Sequence, residues 1–480
     1  LTLSVLSPFR FAVCHPPRAW QPALLRRIGI DARSSLMANP FDVDADWIRS
    51  LDEVGSRELI ARLCRAELRS QELSEVSTTW GGDSRAPDGG VDVRVTAAAD
   101  PPNLSFLPGK DVAFQVKSEV FGPAKIAREM APENVFRAAL RELAEAGGTY
   151  IIASTRDSCS DSALADRRRS MTKCLEAHNV EDLSVEFFDS RRIADWVEQH
   201  PVVANWLRSR VGHPLTGWQT YGPWAYSEDD ASRPYIVDEK VRVFTPDKDE
   251  GASVIEAITR LRHDLEARHP IRVVGLSGVG KTRLVQAVFD QRVQTSAVPP
   301  STENVIYTDL ADAPDPQPSV LINQLTRLGS DAVVVIDNCS QSAHARLAEI
   351  VRKAPCKLRL ISIEYDIRDD LPEGTSCYRL DCASGDLIEK LLKARYPILS
   401  ESDVNRIAEC SDGNARVAFA LAATAQGNGE FAALRDETLF QRLFEQKYSP
   451  NDELLRCAEI ASLLYSFDAE DLGAESEIAL

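Results

Sequence analysis

The spacing of apolar residues changes along the chain between a helical period and strict alternation. Apolar positions three and four residues apart predict a helix over residues 58–67. Alternation over residues 91–95 and 111–117 predicts two strands, each with one apolar face. From Ile255 onward, apolar runs and helical patterns follow each other as strands and helices do around a parallel sheet. These patterns predict an α/β fold in both halves of the chain.

The chain has 480 residues, which is too long for one ordinary hydrophobic core, so we expect several domains. An aromatic, turn-rich stretch followed by acidic residues predicts a linker near the middle. The last segment shows helical periodicity and is expected to be a helical lid, followed by the start of a winged-helix-like region that is cut short. The predicted boundaries are 1–36 for a disordered leader or upstream sequence, 40–213 for the N-terminal domain, 214–250 for the linker, 251–400 for the second α/β core and 401–480 for the helical region.

Composition and charge narrow the class of protein. Hydrophobic residues make up 44% and charged residues 27% of the chain, as in soluble globular proteins. No stretch approaches the ~20 apolar residues of a membrane helix, so no membrane partner is expected. The formal net charge of −18 argues against a surface coated with nucleic acid, although it leaves room for a local basic groove. The ten cysteines show no metal-binding spacing, which favours a reduced, cytoplasmic chain.

A glycine-rich stretch carries the most specific motif. Residues 275–282 read Gly-Leu-Ser-Gly-Val-Gly-Lys-Thr, and they stand between an apolar run and a helical pattern, which is the context of a phosphate-binding loop. Its glycines let backbone amides and the N-terminus of the next helix point at a polyphosphate. Lys281 is expected to reach the terminal phosphates, and Thr282 is expected to hold magnesium. The loop therefore predicts a site for a nucleoside triphosphate.

A continuous apolar run over residues 331–338 ends in Asp337 and Asn338, and it is typical of a buried parallel strand. Asp337 is expected to hold magnesium beside Thr282. Asn338 cannot accept a proton from water, so slow hydrolysis is expected unless another carboxylate, with Glu364 as the candidate, substitutes. The residues predicted to bind the nucleotide are Gly275, Ser277, Gly278, Val279, Gly280, Lys281, Thr282, Arg283 and Asp337.

The two alternating segments of the N-terminal domain place polar residues together. Asp92 lies opposite the apolar face of its strand, and Gln115 and Lys117 share the polar face of theirs. This arrangement, after a Gly-Gly turn, resembles the Mrr-like branch of the PD-(D/E)XK nucleases. The resemblance implies that Asp92 and Gln115 bind magnesium and that Lys117 orients the attacking water or stabilises phosphate charge. A solvated sheet face remains the alternative for these residues.

The same resemblance implies a glutamate on the preceding helix. Glu67 falls near the centre of the apolar face of that helix, where a carboxylate is costly unless it is paired or bound to metal, and Glu58 is the second candidate. Double-stranded DNA is the implied partner, and phosphate backbones favour basic groups nearby. The basic residues that follow are Lys125, Arg128, Arg137, Arg141, Arg167, Arg168 and Arg169.

The second half resembles the STAND class of signalling ATPases, which is related to NACHT and NB-ARC proteins. The matching segments are 275–282, Asp337 and Gly413-Asn414-Ala415, the last of which lacks the proline that relatives often carry. The resemblance implies ATP and Mg²⁺ as cofactors, homo-oligomer formation on activation and control of an N-terminal effector. A nuclease followed by such an ATPase resembles bacterial antiviral STAND proteins. A phage-derived trigger is then implied, although no repeat array that could sense it is detectable.

These observations together predict a P-loop three-layer α/β/α domain behind a restriction-endonuclease-like α/β domain, with a helical extension at the C-terminal side. The expected function is an ATP-controlled, magnesium-dependent DNA endonuclease in antiphage defence. Two alternatives stay open. One is a modification-dependent restriction enzyme with an ATPase motor, and the other is a signalling scaffold that binds DNA without cutting it.

Overall fold

The computed structural model describes residues 40–74, 77–81, 89–226, 236, 240–245, 248–364 and 374–425. The predicted leader 1–36 and residues 426–480 of the predicted helical region therefore lie outside the described residues. The described chain forms two sheets, each covered by helices.

The first sheet has five strands in the order in which they occur along the chain. Its members are β1 (Thr78–Trp80), β2 (Val93–Thr96), β3 (Asp111–Lys117), β4 (Thr149–Ser154) and β5 (Ser184–Phe188). Strands β1, β2 and β3 pair antiparallel, whereas β3, β4 and β5 pair parallel. The helices around it are α1 (Ala45–Ser50), α2 (Glu53–Ser70), α3 (Pro123–Met130), α4 (Ala138–Glu145), α5 (Asp161–Ala177), α6 (Ser190–Glu198) and α7 (Pro201–Arg210).

Helix α2 covers one face of this sheet and lies against β3. It begins where the Asp52 carboxylate accepts a hydrogen bond of 2.7 Å from the amide of Gly55, which satisfies a free donor of the first turn. Its buried side includes Leu59, Ile60 and Leu63. The helical period predicted for residues 58–67 is therefore confirmed, and the helix extends beyond that range at both ends.

The second sheet has eight strands in the order β6, β10, β11, β12, β9, β13, β7, β8. Its strands are β6 (Trp218–Thr220), β7 (Arg242–Thr245), β8 (Lys248–Ser253), β9 (Ile271–Val274), β10 (Val305–Asp309), β11 (Ala332–Asp337), β12 (Leu358–Ile363) and β13 (Ser376–Leu380). The five central strands run parallel, and β6 and β7 join the two edges antiparallel. This parallel order with β9 inside the sheet is a P-loop-type α/β arrangement.

Helices of the second half pack around this sheet and beyond it. They are α8 (Tyr221–Ala225), α9 (Val254–Glu266), α10 (Lys281–Phe289), α11 (Pro318–Arg327), α12 (Gln341–Lys353), α13 (Gly385–Arg395), α14 (Glu401–Ser411) and α15 (Ala415–Ala425). The last three form a small helical cluster with its own core, built on Ile388, Leu392 and Ile407. Among the helices in the described ranges, none is both long enough and apolar enough to cross a membrane.

The range 214–250 does not behave as the predicted linker where it is described. Trp218 to Thr220 form the edge strand β6, and residues 242–245 and 248–253 form the opposite edge. Trp218 is only 2% exposed because its ring is part of the hydrophobic core. Trp218 and Tyr221, two of the aromatic residues that suggested a boundary, are therefore buried, and the described part of the predicted linker range contains strands and a short helix.

Candidate functional site

The loop between β9 and α10 wraps the N-terminus of that helix. Gly278 and Gly280 have φ angles of 85° and 102°, which few other residues tolerate. At Gly278 a Cβ atom would also lie 2.2 Å from the side-chain oxygen of Asn414. The amides of this turn and of the first turn of α10 form a cradle that suits a phosphate group.

Lys281 begins helix α10 and folds back over the loop. Its ammonium group donates to the carbonyl oxygens of Gly275 at 2.9 Å and of Leu276 at 2.7 Å. Burial lowers the pKa of Lys281 to about 8, while the carboxylates of Asp337 and Glu364 act in the opposite direction. The lysine is thus a cation held at the loop with little water around it, where an anionic ligand would bind strongly.

Thr282 and Asp337 meet at the carboxyl end of the sheet. The Thr282 hydroxyl donates to Asp337 Oδ2 at 2.7 Å, and the Tyr307 hydroxyl lies 3.5 Å from the same oxygen. Burial raises the pKa of Asp337. A hydroxyl and a carboxylate oxygen side by side fit the ligand preferences of Mg²⁺, so these two residues are suited to hold the ion beside a bound triphosphate.

A second carboxylate stands next to Asn338. Asp309 ends strand β10 in register with Asp337, and its Oδ1 accepts a hydrogen bond of 2.7 Å from the Asn338 side-chain amide. Glu364 follows β12, is 8% exposed and hydrogen-bonds through its amide to Val273 of the P-loop strand. Glu364 was a predicted candidate for accepting a proton, whereas Asp309 was not, although it is an acid at the end of an apolar run in the sequence.

The helical cluster touches the loop directly. The Asn414 side-chain amide donates to the Ser277 carbonyl oxygen at 2.7 Å, and Arg416 Nη1 lies 3.2 Å from the Ser277 hydroxyl. The charge of Arg416 also contributes to lowering the pKa of Lys281. The Gly413-Asn414-Ala415 segment was predicted to matter, whereas Arg416 was missed although it directly follows that segment. Two cations therefore reach one phosphate cradle from different parts of the chain.

The residues predicted for the nuclease site are partly brought together. Asp92 is 3% exposed, and its Oδ2 accepts hydrogen bonds of 2.7 Å from the Gln115 side chain and from the amide of Val116. The other oxygen, Oδ1, lies 2.8 Å from Nε of Arg57 on helix α2. Asp92 and Gln115 are thus adjacent, but the carboxylate also has a guanidinium partner that the sequence patterns did not reveal.

Lys117 lies two residues beyond Gln115 on the same side of β3, and its charge is also paired. Its ammonium group is 3.0 Å from one oxygen of Glu129, while Arg137 lies 2.9 Å from the other oxygen. The ammonium group also lies 5.3 Å from the centre of the Phe121 ring. Glu129 therefore bridges two cations at the edge of this candidate site.

The structure does not bring Glu67 to Asp92. Its carboxylate accepts from Trp196 Nε1 at 2.8 Å and from Gln71 at 2.6 Å, and it lies 2.9 Å from His200 Nε2. Burial acts to raise the pKa of Glu67, but these hydrogen bonds outweigh it and lower the pKa. Glu67 is ten residues beyond Arg57, which is about 15 Å along a helix.

Glu67 is therefore paired with residues on α6 and just before α7 rather than with Asp92, and its role in a nuclease site stays a prediction. The second candidate, Glu58, pairs with Arg62. Glu53, at the start of α2, lies 2.5 Å from Nη2 of Arg57, the same arginine that pairs with Asp92.

The Thr282–Asp337 site and the Asp92–Gln115 site differ in how well their residues fit a divalent cation. Among the described residues, no group of three or more His, Cys, Asp or Glu side chains converges as a metal site. At Asp92 the buried Oε1 of Gln115 has no hydrogen-bond partner in the described structure, which suits a ligand oxygen, but Arg57 stands at the carboxylate. The residues around Asp92 do not fit a metal ion as they are arranged here.

No protein-family model and no curated protein matches the chain. Among solved structures, similarity is found to the STAND protein PH0952 of Pyrococcus horikoshii, which has a tetratricopeptide repeat sensor, at 11% identity over 46% of this chain and 36% of that one. The FIGL-1 AAA domain in complex with ADP matches at 11% identity over 46% and 92%, and C. elegans PCH-2 at 12% over 40% and 67%. All three TM-scores are 0.27, so the P-loop assignment depends on the geometry of the loop itself.

Proposed function

We propose that the chain is an ATP-binding switch of the STAND type with slow hydrolysis, and that it controls an N-terminal DNA endonuclease. The ATPase part of this proposal is supported by one observation. Three segments of the chain meet at the loop of residues 275–282. The P-loop supplies Lys281 and Thr282, the sheet supplies Asp337, and the helical cluster supplies Arg416. Such a site senses a triphosphate because the ligand would touch the sheet and the helical cluster together.

The residues of the site have distinct roles in this proposal. The loop amides and Lys281 bind the phosphates, and Thr282 and Asp337 hold magnesium, which would neutralise charge on the β- and γ-phosphates. Asn338 donates its side-chain amide to the Asp309 carboxylate, and Asn338 itself cannot accept a proton from water. Hydrolysis is then slow, and the triphosphate state persists long enough to act as a signal.

The nuclease half is supported by the convergence of Asp92, Gln115 and Lys117 on neighbouring strands. A buried carboxylate bonded to an amide side chain, with a lysine two residues further along the same strand, suits the cleavage of a phosphodiester, which needs charge stabilisation around the phosphate. We further propose magnesium dependence, double-stranded DNA as substrate, ATP-driven homo-oligomers and a role in antiphage defence, in agreement with the resemblance described above. The DNA-binding scaffold stays the alternative, favoured by the pairing of Asp92 with Arg57.

Plasmid cleavage tests the proposal. The full chain is incubated with supercoiled DNA, Mg²⁺ and ATP, and the relaxed and linear products are measured. Asp92→Ala and Lys117→Ala should each lose cutting by at least about a hundredfold, as expected when a charge-stabilising group is removed, while both still bind ATP. Lys353→Ala is the matched control, because Lys353 forms an exposed ion pair with Glu349 on α12. Cutting that persists in either site variant would place the nuclease site elsewhere. DNA binding without any cutting would favour the scaffold.

A further inference from the structure

Each charged group of the candidate nuclease site is met by an opposite charge from a helix. Arg57 of α2 lies 2.8 Å from Asp92, and Glu129 of α3 lies 3.0 Å from Lys117. Arg57 and Asp92 are 7% and 3% exposed, so their attraction is screened little by water. The site is therefore neutralised from within the chain at both of the positions where catalysis would need charge.

Arg57 and a divalent cation would compete for the same carboxylate. Gln115 and the Val116 amide already bond to Oδ2 of Asp92, and Arg57 lies at Oδ1. Two positive groups cannot share one buried carboxylate without strong repulsion. Glu53 holds the other side of the guanidinium through Nη2 and keeps it in place. Binding of a metal ion at Asp92 thus requires that Arg57 move away.

The same helix is anchored to the P-loop domain about two turns further on. Glu303 lies just before strand β10, and both of its oxygens accept hydrogen bonds from Arg65, at 2.7 Å and 2.6 Å. Arg62 and Arg69 lie 3.8 Å from the same carboxylate. Strand β10 ends at Asp309, beside Asn338 and next in the sheet to Asp337. Helix α2 therefore connects the amino end of β10, the strand whose carboxyl end carries Asp309, with the Asp92 carboxylate of the other half of the chain.

We propose that Arg57 is a latch that excludes divalent cations from Asp92, and that Glu303 holds the latch closed by fixing helix α2 to the P-loop domain. A nucleotide-dependent shift of β10 would move α2 and withdraw the guanidinium, which frees Asp92 Oδ1 to bind a cation together with the amide oxygen of Gln115. The latch deepens the proposed nuclease function and rests on it for the use of the site. In this proposal Arg57 and a divalent cation compete for the Asp92 carboxylate. A measurement of metal binding tests this competition without any measurement of DNA cutting.

Mn²⁺ binding to the full chain without nucleotide tests the latch, with the free ion counted by electron paramagnetic resonance. Arg57→Gln should bind Mn²⁺ at least about tenfold more tightly than the parent, and adding Asp92→Asn to it should remove the gain. Arg94→Gln is the matched control, because it breaks another arginine–aspartate pair of the same sheet, with Asp111, and should change nothing. Circular dichroism establishes that each variant is folded.

Glu303→Gln gives a second measurement that leaves the Asp92 site untouched. It should raise the affinity for Mn²⁺ several-fold, and adding Asp92→Asn should remove this gain. If Arg57→Gln does not fold, this variant tests the latch in its place. A folded Arg57→Gln protein without any gain in affinity overturns the latch, and an unchanged Glu303→Gln protein overturns the role of the anchor.

Plasmid cutting is scored separately in the same variants. If DNA cutting depends on Asp92 but neither Arg57→Gln nor Glu303→Gln binds Mn²⁺ more tightly, the proposed nuclease is supported and the latch is refuted. If these variants bind Mn²⁺ more tightly but no variant cuts DNA, the latch is supported and the proposed nuclease is refuted.

Discussion

At the residue scale, burial of Lys281 affects how strongly the site binds phosphate. The residue is 8% exposed, its ammonium group is held by two loop carbonyls, and burial lowers its pKa to about 8. Its charge is therefore costly to maintain until an anion arrives, which makes the interaction with phosphate stronger than it would be in water.

Removal of this charge should abolish nucleotide binding. Lys281→Ala leaves the phosphate cradle without its cation at the position where ligand charge is concentrated, so calorimetry should detect no triphosphate binding at concentrations that saturate the parent. Asp92→Ala serves as the control, because it lies on the other sheet and should keep parental affinity. Parental affinity in Lys281→Ala would contradict the P-loop assignment.

The lowered pKa of Lys281 also predicts a pH dependence. Below about pH 8 the free lysine is charged and ready to bind, whereas above it the lysine must take up a proton, because bound phosphate raises its pKa. Nucleotide affinity should therefore fall as pH rises from 8 towards 10, approaching about tenfold per pH unit. Calorimetry at several pH values measures this slope. Lys281→Arg keeps its charge throughout and should show a flat profile, and a flat profile in the parent would refute the prediction.

At the scale of elements, the short strand β6 and helix α8 bind the middle of the chain to the second sheet. Strand β6 pairs with β10, and the Tyr221 hydroxyl of α8 donates to the carbonyl of Gln286 in α10. Trp224 stacks on Tyr307 with ring centres 4.5 Å apart. A stretch that connects two domains in the sequence is thus an edge of one of them in space.

Trp218 should be among the most sensitive positions of this edge. Its ring is 2% exposed, and its Nε1 donates to the Pro316 carbonyl at 2.8 Å. Trp218→Ala removes a large buried side chain and should lower the free energy of unfolding by about 3–5 kcal/mol. Urea denaturation measures the change, and Val298→Ala, at a side chain that is 86% exposed, should stay within about 0.5 kcal/mol of the parent. A loss below 1 kcal/mol at Trp218 would show that this edge contributes little.

At the scale of the whole molecule, the two sheets share one hydrophobic core. The core continues from Phe114 of β3 through Trp196 and Leu207 to Ile306 and Leu321 of the P-loop domain. Helix α7 lies against β6, and helix α2 reaches the segment that carries Glu303. The two halves are therefore packed against each other, and a ligand of one half should stabilise the other.

Saturation with Mg²⁺ and ATP should slow global hydrogen exchange in both sheets. At a hundred times the dissociation constant, the ligand adds about 2.7 kcal/mol to the stability of the unit to which it is coupled, or about a hundredfold in exchange. Mass spectrometry should find this slowing in β3 as well as in β11. The Lys281→Ala protein should show none. Slowing confined to the second sheet would mean that the two halves unfold independently.

Those parts of the site whose atoms come from one stretch of chain could be predicted from the local pattern of residues. The turn from Gly275 to Thr282 is local, because its glycines and the start of α10 create the cradle without help from elsewhere. Alternation also put Gln115 and Lys117 on the same side of β3, since the direction of a side chain in a strand follows from its parity, whereas Asp92 lies directly before β2.

Which charges face each other depends on how separate elements of the chain pack together. Arg57 reaches Asp92, Glu129 reaches Lys117, and Arg416 reaches Ser277 from segments far apart in the chain, and no local pattern records such pairings. Helical phase put Glu67 on the buried face as predicted, but position along the helix axis decided that Trp196, rather than Asp92, is its neighbour. A buried charge must find a partner, and the packing of distant elements decides which partner that is.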